Sequence, residues 1–126
     1  MSQSFNVIRP SGEPQADRAL FDAIRRYLGR QEVVNTIQLA GFLARDGFDP
    51  THPVLAATVG PDIVAVATLT PGFLLLLSHV EASEAVQALV DAAIQAGLDV
   101  PGVMGPSQAA LAFAECWAEA TGGTFR

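Results

Sequence analysis

The residues best suited by type and spacing to chemistry follow one another in Ser78-His79-Val80-Glu81-Ala82-Ser83-Glu84. His79 with Glu81 or Glu84 has the composition of an acid–base pair, in which an imidazole and a nearby carboxylate exchange a proton near neutral pH. A surface histidine among acids is spelled the same way and is the simpler reading. Gly102-Val103-Met104-Gly105-Pro106-Ser107 is the one glycine-rich turn that meets a helix start, where successive backbone N–H groups could face an anion. A short strand-to-helix connection needs those residues anyway, and Pro106 removes one of the donors. Cys116 sits beside Trp117 on a mostly apolar helix with no histidine near it in sequence, so it reads as a structural thiol. Ser107 lacks the Gly-x-Ser-x-Gly setting of a hydrolase nucleophile and reads as a helix cap. Tyr27 is a general acid by residue type, but it lies on the apolar stripe of its helix. His52 and His79 have no cysteine or further histidine at ligand spacing, which speaks against a metal site. No catalytic, cofactor-binding or metal-ligating residue is assigned.

The totals narrow the classes. A chain of 126 residues fits one domain, 1–126, and 50% hydrophobic against 16% charged residues is the composition of a folded globule. There is no lysine; seven arginines face thirteen acids, and the net charge of -6 argues against a nucleic-acid partner. Arg25, Arg26 and Arg30 crowd one early helix and read as its solvated face. The single Cys116 cannot form an internal disulfide, which fits the reducing cytoplasm. No apolar run reaches the ~18 residues of a membrane span, and the N-terminus has no signal pattern. A mean hydropathy of +0.33 leaves apolar surface for a partner, and a homo-oligomer is expected.

The elements that must hold these residues centre on three apolar runs. VLAATV (54–59), the break Gly60-Pro61-Asp62 and IVAVATL (63–69) spell an antiparallel hairpin, and FLLLLS (73–78) a third strand beside it. Upstream, SFNVI (4–8) is a short strand, the Pro-Ser-Gly-Glu-Pro segment a loop, and Asp17 opens a helix. That helix carries Leu20, Phe21, Ile24, Tyr27 and Leu28 on one stripe and stops near Gly29. A second helix spans 32–45.

Downstream, Val86, Leu89, Val90, Ala93 and Ile94 form a helix closed by Gly97. Its start is open: Ser78 with Glu81 fits a capping box, and Ser83 fits a cap five residues later. Either way its own acids are expected to satisfy its N-terminus. A very short strand near 100–104 leads to a last helix, 108–121, ended by Gly122-Gly123. Residues 124–126 resemble a strand cut short. In the last helix Gln108, Ala112, Glu115 and Glu119 form a narrow polar stripe, and so wide an apolar remainder suggests burial on more than one side. The predicted architecture is α/β: a mixed sheet, antiparallel hairpin then parallel crossover, with helices on both faces.

This succession resembles the GNAT superfamily of acyl-CoA-dependent N-acetyltransferases. Asn35-Thr36-Ile37-Gln38-Leu39-Ala40-Gly41-Phe42-Leu43 is similar to the Asn-containing, Leu-rich helix in the first half of bacterial two-part GNAT proteins. Val100-Pro101-Gly102-Val103-Met104-Gly105-Pro106, followed by a helix with Phe113, Ala114, Trp117, Thr121 and Gly122, is similar to the turn and Trp-bearing helix that close that half. The likeness covers most of 17–123. It implies that a second GNAT domain follows, to which acetyl-CoA binding and acetyl transfer belong.

The GNAT phosphate loop, Gln/Arg-x-x-Gly-x-Gly/Ala, brings bare main chain and a helix N-terminus to the CoA diphosphate. At the matching place this chain has Ser78 to Glu84, with no glycine, no arginine and two carboxylates, so no cofactor-binding residue carries over. The resemblance therefore implies the non-catalytic N-terminal half of an acetyl-CoA-dependent N-acetyltransferase. Its partners would be the C-terminal GNAT domain or a second copy of itself. Two alternatives stand beside it: a stand-alone ligand-binding or homodimerising module that has lost catalysis, and a minimal acetyltransferase with an atypical phosphate loop.

Overall fold

Two apolar runs joined by Gly60 and Pro61 set the frame. β2 (Val54–Val59) and β3 (Asp62–Leu69) pair antiparallel with Val59 opposite Asp62, which leaves a two-residue loop. Gly60 takes φ +57°, a conformation only glycine adopts without strain, while the Pro61 ring holds a negative φ. Positive then negative φ is the order found in the II′ hairpin turn, whose twist matches that of the strands. Asp62, expected in the break, is the first residue of β3.

The computed structural model describes residues 5–30, 38, 47, 48, 52–69, 74–82 and 84–122. β1 (Asn6–Ile8), β4 (Leu75–Leu77) and β5 (Val103–Met104) complete a five-stranded sheet of order β1-β2-β3-β4-β5. Its first three pairings are antiparallel and β4–β5 is parallel, so the expected mixed sheet is present. The expected helix over 32–45 lies outside the described residues except for Gln38, which is helical, and the expected strand at 124–126 lies outside them altogether.

Because both faces are covered, β2 is buried almost throughout rather than alternating in and out. Val54, Ala56 and Val66 face helix α1 (Pro14–Arg30), which brings Phe21, Ile24, Tyr27 and Leu28 to them. Leu55, Ala57, Ala65, Ala67, Leu75 and Leu77 face the other way, toward α2 (Ala85–Gln95) and α3 (Ser107–Thr121). There Val86, Leu89, Val90 and Phe113 close the larger core, and Trp117 stacks on Phe113 at 6.2 Å. Among the described residues no helix is long and apolar enough to cross a membrane.

The helix ends differ from expectation in informative ways. α1 begins three residues before Asp17: the Glu13 side chain caps the Ala16 N–H at 2.6 Å, and Pro14 takes the first position, where its missing N–H costs nothing. Asp17 reaches back instead, accepting from the Ser11 and Gly12 N–H groups at 2.7 and 2.9 Å. α2 ends as read, with Gly97 at φ +69° and the paired bonds Gly97 N–H to Ile94 O and Leu98 N–H to Ala93 O.

Ser107 does not cap α3. It is the first helical residue; Pro106 holds the cap position, without a side-chain cap bond, and its carbonyl accepts from Ala110 N–H. Nor is α3 buried on two sides. Phe113 is fully buried and Ala112, expected on the polar stripe, packs on the core, while Leu111 is 61% exposed. A second layer to cover that outer face is absent among the described residues.

Candidate functional site

The end of β4 is the place to test for a phosphate cradle, because ligands of open α/β sheets sit beyond the carboxyl ends of parallel strands. The sheet does not let this loop go. Ser78 N–H donates to Val66 O at 2.9 Å, and the Ser78 hydroxyl accepts from Val66 N–H at 2.8 Å. The side chain thus stands where a strand carbonyl would accept, so the main chain turns away without orphaning the Val66 donor. Ser78 is fully buried, and its hydroxyl donates onward to His79 O at 2.8 Å.

The next tie depends on an irregularity in the hairpin. Ala57 faces Ala65 and Thr58 faces Ile63, so Val64 is an extra residue in β3, a β-bulge. The Val64 carbonyl accepts from Glu81 N–H at 2.9 Å. The same carbonyl lies 2.8 Å from the Tyr27 hydroxyl, which is also 2.5 Å from His79 O and shares its one proton between them. Three segments distant in sequence meet there: the end of α1, the bulge, and the exit of β4.

Burial pushes the Tyr27 phenol far above its ordinary value, and the Glu81 charge adds to the effect; the Ser78 hydroxyl and Arg30 pull the other way. Tyr27 stays neutral and serves as a donor, not as a proton source for a reaction. As expected it lies on the apolar stripe of α1, but its polar tip passes through the core to the loop. The sequence offered one signal for this: a lone tyrosine among aliphatic residues on a buried stripe, whose hydroxyl requires a partner.

Beside this junction is a cavity of about 390 Å³ lined by Arg30, Val59, Asp62, Val64, Glu81 and Ala82. One guanidinium there faces two carboxylates, a poor setting for a diphosphate. The expected capping box is absent, since the Ser78 hydroxyl bonds β3 and His79 O, and α2 starts only at Ala85. Its N-cap, Glu84, makes no side-chain cap bond, and no acid lies in the first turn. The chain's acids therefore precede the helix end rather than satisfy it; Ser83 lies outside the described residues. The segment ends instead with Ala85 N–H bonded to Ala82 O.

The glycine-rich turn has a packing explanation. A Cβ on Gly105 would lie 2.5 Å from Leu77 O, and one on Gly102 would lie 2.7 Å from the Leu74 side chain. Glycine at both positions lets β5 approach β4 closely. Cys116 is half-buried against the core, and burial together with Glu119, Asp91 and Glu115 raises its pKa, keeping the thiol protonated. His52 precedes β2 and His79 follows β4, at opposite ends of the sheet, so the two imidazoles do not meet. No group of three or more His, Cys, Asp or Glu among the described residues could hold a metal ion.

Sequence reasoning did not single out Gln38. It is buried to 5% exposure, and its Nε2 shares two protons among Leu76 O at 2.9 Å, Thr68 Oγ1 at 3.2 Å and Val66 O at 3.3 Å, bridging β3 and β4. Its Oε1 is buried without a hydrogen-bond partner.

The chain matches no protein-family model, and neither a curated protein nor a solved structure is significantly similar to it.

Proposed function

We propose that this domain is the non-catalytic, GNAT-like half of an acetyl-CoA-dependent N-acetyltransferase of the cytoplasm, packing on a catalytic half or on a second copy of itself. The observation that carries the reading is the closure at the exit of β4. The N–H groups of Ser78, Glu81 and Ala85 bond Val66 O, Val64 O and Ala82 O, leaving them unable to bond a CoA diphosphate. Two further features support it: the parallel β4–α2–β5 crossover, and Asp62 and Glu81 beside the adjoining cavity. The exposed Leu111 on α3 supports a packing role for the outer face of that helix.

Calorimetric titration of the protein with acetyl-CoA tests the reading. No saturable heat is expected up to millimolar ligand; micromolar affinity would replace this reading with that of a minimal acetyltransferase. Light scattering tests the packing role: association through α3 is expected, abolished by Leu111→Glu, and a clean monomer at high concentration counts against self-association.

A further inference from the structure

A second cavity lies at the other end of β2, away from the β4 exit. It holds about 430 Å³ and is lined by Arg9, Pro10, Gly12, Asp17, Phe48, His52, Pro53, Val54 and Leu98. That volume falls in the range of small-molecule sites. We propose that this cavity is a binding site for a small carboxylate with an apolar body, its carboxylate on Arg9 and its body against Phe48, Pro53 and Leu98. The proposal stands independently of the reading of the β4 exit.

The first argument is that bonds to α1, β3 and α2 hold the walls in place. The Arg9–Gly12 wall is tied to α1 by Asp17, which accepts from Ser11 N–H at 2.7 Å, Ser11 Oγ at 3.1 Å and Gly12 N–H at 2.9 Å. Phe48 sits edge-on to the buried Phe21 ring at 5.3 Å. Pro53 O accepts from Leu69 N–H at 2.9 Å, and Leu98 is fixed by its N–H bond to Ala93 O at 3.0 Å. Walls already tied in this way lower the cost of binding.

The second argument is charge. The Asp17 carboxylate is engaged by three donors, and those bonds, chiefly from the Ser11 main chain, hold its pKa below the ordinary carboxylate value. Arg9 forms no ion pair among the described residues, whereas Arg18 and Arg25 both pair with Asp22. In a chain of net charge -6, a guanidinium beside Phe48, two prolines and a leucine is suited to a planar carboxylate, which it can hold bidentately.

The test uses phenylacetate as probe, followed by amide chemical shifts of the isotope-labelled protein, with phenylacetamide and inorganic phosphate as comparisons. Phenylacetate is expected to shift the Val54 and Leu98 amides saturably, and not those of Glu81 and Ala82. Phenylacetamide, lacking the charge, and phosphate, lacking the apolar body, should each bind at least tenfold more weakly. Arg9→Gln should weaken phenylacetate at least tenfold while keeping the dispersed spectrum of a folded protein, and Arg25→Gln should leave binding unchanged. Absence of shifts at 10-fold millimolar excess, as when the Arg9 charge is neutralised from elsewhere in the chain, overturns the proposal. So does equal binding of phenylacetate and its amide, or of wild type and Arg9→Gln.

Discussion

The two ends of β2 show what separates a cavity that is closed by main chain from one left open. At the Val59 end, the Tyr27 hydroxyl and the Glu81 N–H both donate to the bulge carbonyl of Val64, and the exit of β4 is held to the sheet. At the Val54 end, bonds of Asp17, Pro53 O and Leu98 N–H hold the walls, and Arg9, Phe48, Pro53 and Leu98 line a cavity. At the first end those bonds occupy the Ser78, Glu81 and Ala85 donors, whereas at the second they tie the walls of a cavity together. Counting which backbone groups remain available, rather than which side chains are present, distinguishes them.

The comparison breaks most readily at Ser78. Ser78→Ala leaves the buried Val66 N–H without its acceptor, an expected loss of about 1–3 kcal/mol in denaturant unfolding. Gly105→Ala should cost a similar amount, about 1–3 kcal/mol, because the added Cβ forces β5 away from Leu77 O. Tyr27→Phe is milder: both carbonyls keep a second donor, from Glu81 N–H and from Ser78 Oγ, so about 1 kcal/mol is expected. Arg9→Gln, on an exposed side chain at the open end, should stay within about 0.5 kcal/mol of wild type.

A pH series sharpens the same contrast. The folded state raises the Tyr27 pKa, so above the unfolded value near ~10 the unfolded chain binds fewer protons than the native one. The stability linked to Tyr27 is therefore fully present below pH ~10 and declines as pH rises further. Tyr27→Phe should flatten that alkaline decline. Because the chain has one tyrosine, phenolate absorbance reports it alone and should appear only as the protein unfolds.

Much of the frame was legible in the sequence. VLAATV, Gly-Pro and IVAVATL could form little but a hairpin, and the stripe from Leu20 to Leu28 determined which face of α1 is buried. What was not legible depends on single bonds between distant residues. Ser78 and Glu81 spell a capping box, yet the hydroxyl bonds β3 because the bulge at Val64, invisible in an apolar run, brings the Glu81 N–H to the sheet. Ser107 reads as a cap, but α3 starts one residue sooner. The width of the apolar face of α3 overstated its burial, since helix composition does not report whether a second layer exists. The cavity at Arg9 and His52 escaped notice because its lining is drawn from four separate segments, none with a motif.

The closure of the β4 exit is tested most directly by native-state hydrogen exchange at the Glu81 amide. Held by Val64 O, that amide should exchange far more slowly than an unstructured loop amide, and Tyr27→Phe should speed it. Exchange at the unprotected rate in the wild-type protein would mean that the donor faces solvent, and the account of a filled cradle would fail.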